Sequence, residues 1–278
     1  MMKSIYISFI LCALHISTYS QSLESQTFKT IKGRVVDDEG RPLEYVNIGI
    51  KNKDFGTMSF RNGLFELNIP YKYQNDTLSF SHLGFETEKR PIANMGINED
   101  IILFSETYSL SEVTITATQP RRQIIGITMK NSMLGATAEH NEWAMFMKPR
   151  KLPAKVEKLN IYMNWVEEST DSSYFRINFY AVTDSTPGNN LLMQNIVIKH
   201  LIKREWNELD LRSFNIVMAE SFFVSIQWLQ DLDQKADRKF KYGGVLLRPR
   251  NMYLRGTSFG AWRKFPGFVI SMNLQVLH

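Results

Sequence analysis

The feature that most constrains the fold of this chain is the regular spacing of short apolar runs between Ile31 and Phe104. These runs alternate with Gly, Pro, Asp and Asn at intervals of roughly eight to twelve residues, which is the pattern of a small antiparallel β-sandwich. Apolar and polar side chains alternate within 32–36 and again within 64–69, so one face of each run is expected to point into a core. This stretch therefore predicts a compact β domain.

A turn signal divides that domain near its middle. Asn62-Gly63 stands between the segments 55–59 and 64–69. Asn-Gly between alternating segments is the strongest short-range hairpin signal in a sequence. We therefore expect a β-hairpin in which these two segments pair with each other.

Three consecutive segments carry a family resemblance: GRVVDDEGRPLEYVNI, GTMSFRNGLFELNIP and DTLSFSHLGFET. In this order they resemble the carboxypeptidase regulatory-like domain, which is abundant in envelope proteins of Bacteroidetes. The resemblance implies a seven-strand prealbumin-like Greek-key sandwich over residues 29–106 and an envelope context. It implies no catalytic residue, because the family is named after an accessory domain beside a peptidase.

The first twenty residues have the organisation of a secretory signal peptide. Lys3 supplies a positive charge, Ile5 to Ile16 is an apolar core, and Thr18-Tyr19-Ser20 places small residues before a cleavage site. The apolar run is shorter than the ~20 residues of a membrane-spanning helix. We expect cleavage between Ser20 and Gln21, no transmembrane segment after it, and a location in the periplasm, at the outer membrane or on the cell surface.

The single cysteine, Cys12, lies inside that signal segment. A lipoprotein would need a small residue directly before the acylated cysteine, and Phe9-Ile10-Leu11 does not provide one. The mature chain is therefore expected to contain neither disulfides nor thiolate metal sites, and cysteine catalysis is excluded.

The chain is basic, with a formal net charge of +5 and a pI near 9.1. Its basic residues are scattered, and pairs such as Arg121-Arg122, Lys203-Arg204 and Arg238-Lys239 sit in different segments, so no nucleic-acid partner is expected. Attraction to an acidic polysaccharide or to anionic lipopolysaccharide is one interpretation of the charge. An ordinary soluble surface is the other.

Residues 107–154 are interpreted as a linker followed by an irregular segment. Leu110–Thr118 is similar to the stretch that joins this domain to the plug of TonB-dependent outer-membrane receptors. The transporter interpretation is rejected, because the roughly 160 residues that follow cannot supply about 22 barrel strands of nine to eleven residues each. The apolar island Met145–Met147 is expected to pack on the second domain, the alternative being an exposed patch that docks a partner.

From residue 155 to 278 the strand pattern returns, with seven or more strands and no convincing amphipathic helix. The segments FRINFYAV, PGNNLL, WNELDL, FFVSIQW and WRKFPGF carry a resemblance to the C-terminal region of uncharacterised envelope proteins of the same bacteria. That resemblance implies no activity. We therefore expect an all-β chain, in which a jelly-roll-like sandwich follows the first one.

One motif invites a hydrolase interpretation. Gly256–Gly260 reads G-x-S-x-G, but a nucleophile elbow needs a strand-to-helix turn of an α/β sheet and a histidine that follows it. Here the surroundings are all-β and His278 is the only histidine downstream. We expect no catalytic role for Ser258.

No metal or cofactor is expected either. The histidines of the mature chain, His82, His140, His200 and His278, lack the spacing of a zinc site. Asp231, Asp233 and Asp237 could offer oxygens to calcium. The segment lacks the glycine and glutamate of an EF-hand, so a solvated turn is favoured.

The candidate ligand-binding residues are Tyr253, Arg255, Trp262 and Arg263, which lie in segments rich in Gly, Arg and Lys. Aromatic rings of jelly-roll domains can stack on sugars, whereas Trp165 and Trp228 end apolar strands and are expected in the core. The favoured function is a non-enzymatic, exported binding or adaptor module for an envelope protein or glycan. A carbohydrate-binding module is the first alternative, and a hydrolase with unrecognised carboxylates is the second.

Overall fold

The computed structural model describes residues 27–106, 120–130, 142–166, 172–229, 240–246 and 252–278. Their regular structure consists of β-strands and three single turns of 3₁₀ helix, at Tyr71–Tyr73, Ile92–Asn94 and Arg212–Phe214. The all-β prediction is confirmed. A helix long and apolar enough to cross a membrane is absent from these ranges.

Several predicted features lie outside the described residues. They are the signal peptide 1–20, the segment Leu110–Thr118, His140 and the cluster Asp231, Asp233 and Asp237. Trp165 lies within a described strand, but its side chain is outside the description.

The first domain contains seven strands: β1 (Phe28–Asp37), β2 (Asn47–Gly49), β3 (Gly56–Met58), β4 (Leu64–Pro70), β5 (Thr77–Ser81), β6 (Glu88–Pro91) and β7 (Ile97–Leu103). They form one sheet of order β4-β1-β7 and a second of order β3-β2-β5-β6. Alternate side chains of β4 are buried, and Phe65 meets Phe80 of the other sheet with ring centroids 5.5 Å apart. The predicted seven-strand sandwich is confirmed.

The Asn-Gly turn forms as expected, but it joins two sheets. Gly63 has a φ of 78°, and the amide of Phe60 donates to the carbonyl of Leu64 over 2.8 Å. Beyond the turn the chains separate, because β3 pairs with β2 while β4 pairs with β1. The predicted pairing of 55–59 with 64–69 is therefore wrong, since the turn signal fixes local geometry and not the partner strand.

The second domain begins with β8 (Arg122–Gly126), β9 (Glu142–Met147), β10 (Ala154–Val166), β11 (Ser172–Thr183), β12 (Thr186–Asn190), β13 (Ile196–Leu201), β14 (Trp206–Asp210) and β15 (Val217–Met218). It continues with β16 (Phe222–Leu229), β17 (Phe240–Tyr242), β18 (Gly244–Val245), β19 (Met252–Arg255), β20 (Arg263–Lys264), β21 (Val269–Ile270) and β22 (Met272–Leu277).

These strands form two main sheets. The six-stranded sheet has the order β14-β10-β22-β8, with β15 and β17 also paired to β10. The seven-stranded sheet has the order β12-β11-β16-β9-β19-β20, with β13 also paired to β11. Apolar side chains from both sheets, Leu159 and Leu274 from one and Phe179 and Ile226 from the other, share one buried core. The domain is thus a sandwich, and its jelly-roll topology remains a prediction.

The predicted linker 107–154 needs a correction. Within it, β8 pairs with β22 and β9 pairs with both β16 and β19, so both strands belong to the second domain. Strand β9 gave no alternating signal because both of its faces are covered. The apolar island packs as expected: Met145 and Met147 enter the main core, and Phe146 packs on the opposite face against Phe223.

Strand β16 indicates where the two domains meet. All eight of its residues are buried, yet only one of its faces can point into the sandwich core. The other face carries Phe223, Ser225 and Gln227, on the outer side of the seven-stranded sheet. A partly polar face that is nevertheless buried must be covered by another part of the chain.

Candidate functional site: the seam between the domains

The first domain covers part of the outer face of the seven-stranded sheet, and we call this contact the seam. At its centre the guanidinium of Arg176, on β11, donates to the side-chain carbonyl of Asn47 over 2.5 Å and to the backbone carbonyl of Tyr45. Arg176 is only 2% exposed. A long cation of one domain is therefore enclosed by acceptors of the other.

A loop of the second domain makes the next contact. The amide of Asn52 donates to the carbonyl of Phe259 over 2.8 Å. On the far side of the same loop, Arg263 forms a salt bridge with Asp54 over 2.9 Å. The segment between β19 and β20 thus contacts the turn between β2 and β3.

Glycines permit this close approach. A Cβ atom at Gly260 would lie 2.8 Å from a carboxylate oxygen of Asp54, and one at Gly56 would lie 3.2 Å from Cβ of Thr257 and 2.6 Å from the carbonyl of Ile48. The sequence Gly-Thr-Ser-Phe-Gly is therefore a docking loop, and its likeness to a nucleophile elbow comes from small residues needed for packing.

The third contact involves His82 and Arg61. Asn195 donates its side-chain amide to Nε2 of His82 over 2.7 Å, and Nδ1 of this ring lies 3.0 Å from the carbonyl of Leu83, an arrangement that requires the proton on Nδ1. Arg61 lies over the ring of Tyr174 at 4.7 Å, and its bonds to the hydroxyls of Tyr174 and Tyr45 raise the pKa of the guanidinium. Three separate contacts therefore fix the domains relative to each other.

A polar cluster lies on the same sheet face, around Glu142 at the start of β9. One carboxylate oxygen accepts hydrogen bonds from the amide of Asn178 at 2.9 Å, the hydroxyl of Tyr180 at 2.7 Å and the hydroxyl of Ser225 at 2.5 Å. The other oxygen accepts from Nε of Arg255 at 2.7 Å. Glu142 and Ser225 are both fully buried.

The charges in this cluster fix the state of each group. Burial alone would raise the pKa of the Glu142 carboxyl, but the Arg255 guanidinium and the hydroxyl and amide donors outweigh burial and bring the pKa below its ordinary value. Burial also raises the pKa of the Tyr180 hydroxyl, which Arg255 only partly opposes. The carboxylate is therefore ionised and the phenol neutral at neutral pH.

Arg176 is the second cation near Glu142. Burial lowers the pKa of its guanidinium to about 10, although the negative charge of Glu142 opposes this. Its Nε is buried and has no hydrogen-bond partner among the described residues. Two guanidinium groups thus lie near one carboxylate, and among the described residues Arg255 is the one that forms a salt bridge with it.

The four predicted ligand-binding residues all lie in or beside the seam, but they do not form an open platform. Tyr253 is 5% exposed and donates its hydroxyl to the carbonyl of Ser185 over 2.8 Å. Trp262 packs edge-on against Tyr180, and the Arg255 guanidinium lies 4.3 Å from its ring centre. Arg263 is exposed and paired with Asp54. Their rings and charges are engaged by neighbours.

The sequence does not identify five residues of the seam and of the polar cluster beside it: Glu142, Arg176, Asn178, Tyr180 and Ser225. A signal existed for three of them, because the run Phe175–Ala181 alternates apolar side chains with Arg176, Asn178 and Tyr180. Large polar residues on the outer face of a central strand are compatible with exposure to solvent or with coverage by another domain. The sequence favours neither of these, and only the structure shows that another domain covers this face.

The seam offers little chemistry to a substrate. Ser225 and Glu142 resemble a nucleophile with its base, but a general base works best with a pKa near the operating pH, and this carboxyl has a lowered one. Both groups are fully buried, so a substrate cannot reach them in this arrangement. The groups around Glu142 are arranged to satisfy one another.

Comparisons with known proteins agree with the resemblance of the first domain. Residues 31–115 match the CarboxypepD_reg-like domain. The chain is also 28% identical over 123 residues to the TonB-dependent receptor SusC of Bacteroides thetaiotaomicron, which covers 44% of this chain and 10% of that protein. The chain therefore spans about a tenth of the length of this curated relative.

Two solved structures resemble the chain over most of its length. The clostridial cysteine protease Cwp84 after propeptide cleavage has a TM-score of 0.42 at 7% identity, and covers 90% of this chain and 71% of its own. The infectious bursal disease virus Gx strain structure has a TM-score of 0.24 at 8% identity, and covers 89% and 59%. At these values neither resemblance extends to a shared activity.

Proposed function

We propose that this chain, whose residues 31–115 are a CarboxypepD_reg-like domain, is a non-enzymatic exported protein of the cell envelope that serves as a binding or adaptor module. The second domain and the docked first domain act together as one rigid body. Its partner is another envelope component, and we favour a protein over a glycan.

The seam is the observation that carries this proposal. Its buried ionisable groups, Glu142, Arg176 and Arg255, are engaged in holding strands and domains together. Because these buried groups stabilise the fold, we expect partners to bind at the outer surface of the chain. This is the expected organisation of an adaptor, since an enzyme needs its reactive groups open to substrate.

The similarity to a receptor supports the envelope location. The relative is named a TonB-dependent receptor, and residues 31–115 of this chain match the CarboxypepD_reg-like domain. We therefore propose that the chain acts in the periplasm, at the outer membrane or on the cell surface, in a system for nutrient uptake.

A glycan partner is less favoured because of the state of the two aromatic side chains. Sugar stacking needs an open ring face. Tyr253 is buried, and Trp262 already contacts Tyr180 and Arg255. A glycan array with the wild-type chain and Trp262→Ala tests this: binding that the substitution abolishes would favour the carbohydrate-binding alternative.

Two measurements test the proposal itself. Fractionation of cells that express the tagged chain should place it in the envelope, and recovery from the cytosol would contradict the location. Purified residues 21–278 should hydrolyse neither peptide nor ester panels. Hydrolysis that is lost in Ser258→Ala or Ser225→Ala would overturn the non-enzymatic assignment.

A further inference from the structure

The β8 edge of the six-stranded sheet carries a concentration of positive charge. Residues 120–130 and 148–153 together contain six cations and no acidic residue: Arg121, Arg122, Lys130, Lys148, Arg150 and Lys151. Strand β8, which lies within the first segment, pairs only with β22 among the described strands. We call these two segments the basic strip.

Contacts show that the two segments lie side by side. The amide of Arg150 donates to the side-chain carbonyl of Gln123 over 3.1 Å. Farther along β8, a Cβ atom at Gly126 would lie 3.1 Å from the methyl group of Met147, which directly precedes the second segment. The chain after β9 thus runs along the edge of β8, so the charges of both segments share one surface.

Most of this charge has no salt-bridge partner among the described residues. Arg122 is the exception, because its Nε lies 3.0 Å from the carboxylate of Glu157, which also accepts from Gln275. The other five cations of the strip form no salt bridge within the part of the chain that the structure describes. Among the described residues, these five positive charges are therefore without an acidic partner, which suits an anionic external partner.

Exposed apolar side chains lie among these charges. Ile124 is 59% exposed, Met129 is 49% exposed and Leu152 is 43% exposed. A purely ionic partner such as a polysaccharide would leave these three side chains in water. A lipid surface provides anionic headgroups and, a few ångströms deeper, an apolar layer.

We propose that the basic strip adsorbs to an anionic lipid bilayer surface, with the phosphate-bearing headgroups against its cations and with Ile124, Met129 and Leu152 at the headgroup–acyl boundary. The strip belongs to the six-stranded sheet, while the first domain covers the outer face of the other sheet. Membrane contact is therefore compatible with an intact seam. The proposed function is needed only to bring the chain near a membrane.

The contribution of each cation can be estimated. A Lys or Arg near an anionic surface strengthens partitioning about fivefold. Removal of two cations should therefore weaken binding roughly 25-fold. At an ionic strength of about 1 M, where the Debye length shrinks to about 3 Å, most of the attraction should disappear.

The test is co-sedimentation of purified residues 21–278 with vesicles of phosphatidylglycerol and phosphatidylcholine in equal parts, and with pure phosphatidylcholine vesicles. We expect binding to the anionic vesicles alone. Arg150→Gln/Lys151→Gln should lower partitioning roughly 25-fold. Ile124→Ser should lower it as well, since that side chain enters the boundary.

The matched control is Lys72→Gln/Lys89→Gln, which makes the same change in net charge at exposed positions of the first domain. It should leave partitioning unchanged, and circular dichroism should show the same fold for all variants.

Three results would each overturn the proposal. The first is no binding of the wild-type chain to anionic vesicles, and the second is an equal loss of binding in the control variant. The third is binding that persists in Ile124→Ser and that a soluble acidic polysaccharide inhibits by competition. None of these results bears on whether the chain is an enzyme or where in the cell it resides.

Discussion

Arg176 and Asn47 are 129 residues apart in sequence, and their side chains meet at the centre of the seam over 2.5 Å. The bond links β11 of one sandwich to β2 of the other. Because Arg176 is buried and also reaches the carbonyl of Tyr45, its removal would leave two acceptors without their donor. Neither domain can satisfy these groups alone.

Replacement of this arginine tests how strongly the seam joins the domains. For Arg176→Met we expect unfolding to become easier by about 1–3 kcal/mol, the cost of leaving buried acceptors unsatisfied. Urea denaturation measures this change. Arg212→Met, which removes an exposed arginine paired with Asp210, is the control and should change stability by less than about 0.5 kcal/mol. Equal effects of the two substitutions would contradict a structural role for the seam.

The architecture of the chain was largely predictable from local patterns, because alternation reports whether one face of a strand is buried. Strand β4 shows this, since Phe65, Leu67 and Ile69 are buried as predicted. Strand β9 shows where alternation fails as a signal for a strand. Its sequence EWAMFM does not alternate, because both of its faces are covered, so the sequence pattern there predicts a linker.

The seam was less predictable, because its partners are distant in sequence. The residue types of Arg255 and Trp262 predict a binding role, and both lie in the polar cluster, but as structural neighbours of Glu142 and Tyr180. Nothing near Glu142 in the sequence identifies it as the acceptor of these groups. Only strand pairing brings β9, β11, β16 and β19 together.

Removal of the Glu142 carboxylate should be strongly destabilising, because its cation Arg255 stays in place. In Glu142→Gln, Arg255 would remain largely buried without its anion, and loss of one partner of a buried ion pair typically costs about 3–5 kcal/mol. Urea denaturation near pH 7 measures the loss. The double variant Glu142→Gln/Arg255→Met should regain part of the lost stability, because the Arg255 charge that lacks its anion is removed as well. An additive double variant would contradict this coupling.

The same carboxylate predicts a pH dependence. The pKa of Glu142 is lower in the folded chain than its ordinary value of about 4.3, so the unfolded chain binds the proton more readily. Its stabilising contribution should be complete well above that value and should be lost as the pH falls through the lowered folded pKa. The difference in unfolding free energy between wild type and Glu142→Gln should therefore shrink in acid. A constant difference from neutral pH into that range would contradict the assignment.

Gly260 should contribute to the fit of the docking loop. In Gly260→Ala the new Cβ would lie 2.8 Å from a carboxylate oxygen of Asp54, so this side chain must move away from its position beside Arg263, and stability should fall by about 0.5–1 kcal/mol. Thermal unfolding measures this. Gly96→Ala, where a Cβ meets nothing within 4 Å, is the matched control. In an Asp54→Ala background the cost of Gly260→Ala should shrink, and an undiminished cost would place the strain elsewhere.

Mild acid should loosen the seam through His82. Burial lowers the pKa of this imidazole, and the nearby Arg176 guanidinium lowers it further, because both favour the neutral ring that accepts from Asn195. Since the folded pKa lies below the ordinary value of about 6.5, the contribution of His82 is complete above that pH and is lost as the pH falls toward the folded pKa. Hydrogen-exchange protection of the Asn52 amide, which donates across the seam, should therefore decrease over this range.

His82→Gln keeps an acceptor but cannot titrate, so this substitution should flatten the pH dependence of that protection. His200→Gln should not, because His200 lies in the second domain and is bonded to Asn207. A wild-type response that persists in His82→Gln would show that another group controls the seam.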